Sequence, residues 1–417
     1  MKLVSCIGLL TFSGALVFAG CSSDSTPSGD AGVTSDSSTP TPGRDSSTPG
    51  SDASTGNDSS TGGDSATGND AAVSKTFAST LTGAQQNPPI ATAATGTASF
   101  VLSADRTKVT YTVTHTATGA TAAHVHKGAG GENGPVVQPL ASFGASITGT
   151  LTVTAAEATD LEQGLWYVNI HTTANPDGEV RGQLVPPGST LWVTKLSGAQ
   201  QNPPVVTTAT ATAAVILDQA KTNIRYHVTS SIVPTAAHIH KGIGTANGAV
   251  LITFPTPGLA IDGTSPITAA DATELQEGRL YVNLHTTANA NGELRGQLVK
   301  SGEVLYLGRL SGLEQVPPLT TTANGSAQFI LDSATGMLRY EATFSNMTAT
   351  AAHLHEGAAL TNGAVAFPLT LVGGTGAKGS VTLNPANVAT LNTAGYYINV
   401  HSALNPDGQI RAQVLKP

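Results

Sequence analysis

The chain has 417 residues, of which 46 are glycine, 5% are aromatic and 11% are charged, a composition that excludes an ordinary helical enzyme and any coiled coil. Its 19 basic and 27 acidic residues leave a net charge of −8, so the clustered basic surface that nucleic acid needs is not expected. No apolar run of about 18 residues follows position 20, so no helix is expected to cross a membrane, and what remains is a Thr-, Ala-, Gly- and Val-rich protein of the all-β class.

Residues 1–20 read as an export signal, with Lys2 at the start, an apolar segment Ile7–Phe18 and the small residues Ala19 and Gly20 before Cys21. Phe18-Ala19-Gly20-Cys21 resembles the lipobox of bacterial lipoproteins, which implies cleavage, acylation of Cys21 and insertion of its lipid into a bilayer. Ser22 in place of Asp after the cysteine is similar to Gram-negative lipoproteins of the outer membrane, an expectation of a lipid-anchored place in the cell envelope. The other cysteine, Cys6, lies inside the removed segment, so the mature chain is expected to hold no disulfide.

Residues 21–75 are expected to form a disordered Ser/Thr/Asp/Gly linker. Eight aspartates (Asp24, Asp30, Asp36, Asp45, Asp52, Asp58, Asp64, Asp70) against Arg44 give residues 22–74 a charge of −7, and Val33 and Val73 are the only large aliphatics there. It has nothing with which to offset the entropy of ordering. As a flexible chain its reach is roughly 40 Å, lengthened by Asp–Asp repulsion.

The remainder is one unit written three times, with expected domains at 76–187, 188–301 and 302–417. Gly83-Ala84-Gln85-Gln86-Asn87-Pro88-Pro89 recurs from Gly198 to Pro204 and, more loosely, from Gly312 to Pro318. Ala122-Ala123-His124-Val125-His126 recurs from Ala236 to His240 and from Ala351 to His355, and Tyr167-Val168-Asn169-Ile170-His171 from Tyr281 to His285 and from Tyr397 to His401. An Asn-x-x-Gly and then Arg181, Arg295 or Arg411 follow each of these last segments.

Within the first unit, residues 98–102 and 108–114 alternate apolar and polar around a turn, the pattern of a hairpin. Strands are expected at 136–140, 147–153, 165–172 and 179–185, and one short helix at 154–163, capped by Thr154 with Glu157 completing a capping box and stopped by Gly164. Short strands at such intervals predict three tandem β-sandwiches of immunoglobulin-like or Greek-key type. Pro88-Pro89 and its copies are expected to end an edge strand, Arg181 to pair with Glu179, and His115 and His227 to lie on the surface.

Together these motifs resemble the CHRD domain, the repeat of chordin and of many microbial secreted proteins. The resemblance covers all three units and implies an extracytoplasmic module without assigning a reaction. In animals the family serves as an extracellular antagonist of growth factors, a partner that does not suit a bacterial lipoprotein.

Nine of the eleven histidines sit at the repeated positions. A period of two puts His124 and His126 on one face of a strand, and puts Tyr167, Asn169 and His171 together on the face opposite Trp166, Val168 and Ile170. If the two strands are neighbours, three imidazoles converge outside the core. The candidate metal ligands are therefore His124, His126 and His171; His238, His240 and His285; and His353, His355 and His401. Asn169, Asn283 and Asn399 are the candidates to hold a ligand from behind, and copper or zinc is the ion such a set would take. The opposing reading is that these residues pack strands and fasten the loop 175–178.

A His-x-His pair on a β-sandwich is also similar to copper/zinc superoxide dismutase, but the zinc-binding cluster and the disulfide are missing, so dismutase activity is not expected. With no nucleophile motif or phosphate loop, no enzyme is expected either. The leading expectation is a non-enzymatic surface module that binds a protein, glycan or matrix partner through avidity. The alternative is a copper- or zinc-binding protein.

Overall fold

The computed structural model describes residues 73–255 and 257–417. The export signal, Cys21 and nearly all of the linker lie outside the described residues. No helix of the described residues is long and apolar enough to cross a membrane.

The first domain contains β1 (Lys75–Thr82), β2 (Thr95–Leu102), β3 (Lys108–His115), β4 (Ala120–Lys127), β5 (Val136–Pro139), β6 (Ser146–Thr152), α1 (Ala155–Glu162), β7 (Trp166–Thr172) and β8 (Val180–Gln183). The strands are ordered β5-β4-β7-β8-β1-β2-β3-β6, all antiparallel. β8 and β1 pair only at Thr82 and Arg181, with one isolated bridge further on between Ala78 and Val185, so the sheet folds over into two layers, β5-β4-β7-β8 and β1-β2-β3-β6. In the second domain the corresponding layers are separate sheets.

Alternation drives the assembly. In β3, Val109, Tyr111 and Val113 point inward while Lys108, Thr110, Thr112 and Thr114 face out. They meet Trp166, Val168 and Ile170 of β7 and Val125 of β4, all fully buried, in one core. At about 25 cal/mol per Å² of apolar surface, burial of a side chain such as Val168 contributes about 2 kcal/mol. Thr154 caps α1 by accepting from the Glu157 amide at 3.2 Å, and the Glu157 carboxylate accepts from the Thr154 amide at 2.7 Å, the reciprocal box the sequence predicts.

Three expectations are corrected. His115 is 6% exposed, because β3 runs one residue further than expected and keeps it in phase with Val113. His227 is half-buried against Asp262, with Glu132 of the preceding domain 4.0 Å from its other nitrogen. Pro88-Pro89 ends no edge strand, since β1 has β2 on one side and touches β8 on the other; the prolines follow a 3-10 turn, Gly83–Gln85.

Successive domains are joined by repeated contacts. The loop after β4 lies against the outer face of the next domain, where Ala129 and Leu165 bury apolar surface with Leu191, Ala214 and Ile216. Glu132 accepts from the hydroxyls of Thr212 and Thr229 there. One domain further on, the amide of Gly244 donates to Gln328 at 2.9 Å and that of Thr245 to Ser326 at 2.7 Å. The approach is close enough that a Cβ on Gly130 would stand 2.7 Å from Val193, and one on Gly244 2.8 Å from Ser326.

Candidate metal centres

β4 and β7 are neighbours, with His124 opposite Asn169, His126 opposite Tyr167 and Ala122 opposite His171. The shared face therefore carries His124 and His126 beside His171, one diagonal step along the sheet. A bulge between Val125 and His126, on the side that pairs with β5, turns the second imidazole relative to the first. The same register and bulge recur at His238, His240 and His285 and at His353, His355 and His401.

In each domain the three histidines offer nitrogens within 4.8 Å of one another. His124 Nδ1 lies 3.1 Å from His171 Nε2, and the equivalent pairs are 3.0 and 3.1 Å apart. His126 Nδ1 is 2.9 Å from the carbonyl of Gly134, and His171 Nδ1 is 2.8 Å from that of Pro176. A carbonyl only accepts, so both of these nitrogens carry hydrogen, and the neutral form of either ring has its lone pair on Nε2. Gly248 and Ala290 serve His240 and His285 in the second domain, and Gly363 and Pro406 serve His355 and His401 in the third. Nε2 of His126, His240 and His355 is buried with no hydrogen-bond partner, in all three copies. The donor set is thus Nδ1 of the first histidine and Nε2 of the other two.

Burial is the main reason that His124, His126 and their counterparts titrate below the ordinary imidazole value, with the neighbouring rings adding to the effect. They are neutral at pH 7, the form in which imidazole binds metal.

Every repeated motif of the sequence ends at this cluster. Gln86, 8% exposed, donates from Nε2 to Asn169 Oδ1 at 2.7 Å, and Asn169 Nδ2 donates to the carbonyl of Asp177 at 3.1 Å. Gln201 with Asn283 and Gln315 with Asn399 repeat the first bond at 2.6 and 2.8 Å. These asparagines do not bond a ligand ring; they fasten the loop whose preceding carbonyl holds His171 or its equivalent, one step further out than expected. Gly178 has φ of +126°, and a Cβ there would stand 2.3 Å from Asn169 Oδ1, which accounts for the Asn-x-x-Gly motif. Asn133-Gly134, repeated as Asn247-Gly248 and Asn362-Gly363, has a similar cause, since a Cβ on Gly134 would lie 1.5 Å from the Lys127 carbonyl.

Tyr167 stacks on His126 with ring centroids 4.9 Å apart and planes 11° apart, and its hydroxyl accepts from the Gly134 amide at 3.0 Å. Behind it, the Arg181 guanidinium lies 3.4 Å from the Tyr167 ring centre. Arg181 makes no pair with Glu179. It is 1% exposed and donates to the Ala129 carbonyl, Asn133 and Gln183, while Glu179 accepts from Thr92 and Thr172. Burial pushes its pKa down to about 10, so it stays charged at neutral pH. Sequence reasoning left this arginine, Tyr167 and Gln86 without a role at the histidines, although all recur with the same period.

A search among curated proteins and one among solved structures each return no match. The family model of the CHRD domain matches three times, at residues 77–184, 192–298 and 308–414. Those segments span most of the chain and each encloses one complete three-histidine cluster, so the protein belongs to the CHRD domain family as a tandem array of three such domains.

Proposed function

We propose that this protein is a metal-binding lipoprotein of the bacterial cell envelope, carrying one three-histidine centre for copper or zinc in each of its three CHRD domains and catalysing no reaction. One observation carries the reading. Burying a polar nitrogen without a partner costs about 1–3 kcal/mol, yet His126, His240 and His355 each do so at the cluster. Other buried polar atoms lack partners too, His115 Nδ1 among them, but among the described residues only this nitrogen does so in all three domains, and a bound ion would satisfy it by accepting its lone pair.

The chain's own groups prepare the centre. The Gly134 and Pro176 carbonyls hold the Nδ1 hydrogens of two rings, which leaves Nε2 as the metal-facing nitrogen of each, and desolvation favours the neutral forms of His124 and His126. His124 Nδ1 donates to His171 Nε2, so coordination requires that this hydrogen move to Nε2 of the same ring. Three neutral nitrogens leave a further coordination position for water or an external ligand. The sequence around Cys21 supports anchoring through an acylated cysteine in the outer membrane, and Cys21→Ala should release the chain from the membrane fraction. Display of the modules to a protein, glycan or matrix partner has support from the repeat alone, without a comparable cluster to define the contact.

The test is metal content of the purified full chain after incubation with Cu²⁺ or Zn²⁺ and removal of free ion. Three ions per chain are expected, falling to none in H126A/H240A/H355A. A wild-type chain that stays metal-free overturns the reading, and capture of a partner that depends on copy number but survives those substitutions would favour the adhesive one.

A further inference from the structure

We infer that the buried arginine behind each centre, Arg181, Arg295 and Arg411, biases it toward a singly charged copper ion over doubly charged copper or zinc. The inference rests on the reading that the three imidazoles hold a metal.

The three guanidiniums are 0–1% exposed, and their hydrogen bonds go to neutral acceptors. Arg295 donates to the carbonyls of Gly244, Thr245 and Ala246 and to Asn247, and Arg411 to those of Ala358 and Thr361 and to Asn362. Glu132 acts on Arg181 and Glu314 on Arg411 only through space, and no carboxylate among the described residues bonds to any of the three. A buried charge without a bonded counter-ion is expensive, and this one recurs in every domain.

Its position relates it to the histidines. The guanidinium lies 3.4, 3.5 and 3.4 Å from the ring centre of Tyr167, Tyr281 and Tyr397, and those rings stack on His126, His240 and His355 at 4.9, 5.0 and 5.0 Å. The tyrosines are 2–3% exposed, so water does not enter the column to screen the charge. A fixed positive charge repels a divalent ion twice as strongly as a monovalent one. The donor set contains no carboxylate or thiolate to offset the second charge. At the effective dielectric of a protein site, one unit of charge across such a stack shifts the preference by about tenfold. Three nitrogen donors also satisfy cuprous copper, which accepts low coordination numbers, better than they satisfy a divalent ion.

The same loops that the arginines hold, 128–133, 242–247 and 357–362, supply the carbonyl that fixes the tautomer of the central histidine from their next residue, so removing the arginine disturbs position as well as charge. A charge-retaining variant separates the two effects. The experiment uses the full chain, titrated with Cu⁺ under ascorbate against a cuprous chelator such as bicinchoninate, and with Zn²⁺ against a zinc indicator. Wild type is expected to bind Cu⁺ more tightly than Zn²⁺. In R181Q/R295Q/R411Q that ratio should fall about tenfold, and in R181K/R295K/R411K it should stay within about threefold of wild type. Tighter binding of Zn²⁺ by wild type, an unchanged ratio in the glutamine chain, or equal losses in both variants would overturn the inference. If the glutamine chain does not fold, tighter binding of Zn²⁺ by wild type still overturns the inference. Binding of neither ion defeats the metal reading itself and this inference with it.

Discussion

Asn283→Ala separates a structural from a positioning role at the second centre. Asn283 is 5% exposed, accepts from Gln201 Nε2 at 2.6 Å, and donates to the carbonyl of Asn291 at 3.5 Å. Truncation removes both bonds and strands Gln201, itself 4% exposed, with a buried donor. At about 1 kcal/mol for the lost bonding and 1–3 kcal/mol for the stranded donor, the domain should lose about 2–4 kcal/mol. The effect should also reach the metal. Residues 289–292 carry the Ala290 carbonyl that receives His285 Nδ1 at 3.0 Å, and a loosened loop lets that ring change tautomer. Loss of such outer hydrogen bonding lowers metal affinity about 10–100-fold. Urea unfolding of the metal-free chain reads the first quantity, and competition for the ion, with Asn283→Asp as the conservative control, reads the second. Lower stability with unchanged metal affinity would refute the positioning role, and unchanged stability would refute the hydrogen-bond account altogether.

Three further outcomes follow from the geometry. Because burial lowers the folded-state pKa of His126, His240 and His355, their neutral forms contribute stability above the unfolded value of about 6.5 that is lost as pH falls through the lower folded value. The urea midpoint of the metal-free chain should drop below about pH 6.5, and a flat profile from pH 7 to 4.5 would contradict this. Gly178→Ala should destabilise the first domain by about 2 kcal/mol or more, measured by thermal unfolding, since its φ of +126° is costly for alanine and the new methyl meets Asn169. Glu132→Ala, which strips the carboxylate that Thr212 and Thr229 share, should cost about 1–2 kcal/mol and separate unfolding of the first domain from the second; a single unchanged calorimetric transition would refute that coupling.

Much of this site was legible because strand periodicity is simple. The phase of His124 with His126, and of His171 with Asn169 against a Trp166-Val168-Ile170 core, follows from alternation alone. What alternation cannot supply is which strand lies beside which, and adjacency of β4 and β7 is what turns two histidine motifs into one cluster. Arg181 was misread for a related reason. Glu179, two residues away on the same face, was the nearest opposite charge in sequence, but the side chain reaches across the sheet to a ring on β7 that no local pattern points to. Gln86 was hidden likewise, being 83 residues from the asparagine it bonds. His115 did carry a signal, its phase with Val109, Tyr111 and Val113, and was missed only because β3 was ended one residue early.

The joints between domains give the array a direction. Where the second domain presents Leu191, Val193, Ala214 and Ile216 to its predecessor, the first has Thr76, Ala78, Ser99 and Val101 in the corresponding places, with Thr76 and Ser99 open to water. The glycines that permit close approach, Gly130 and Gly244, give way in the third domain to Ala359, which is exposed and docks on no domain among the described residues. Each copy is thus fitted to its rank: a leading unit with a wettable back, a middle unit sticky on both sides, a trailing unit whose tip is free of the small-residue requirement. Shuffling the three would bury threonine and expose leucine, so the three copies, alike at their histidines, are not interchangeable along the array.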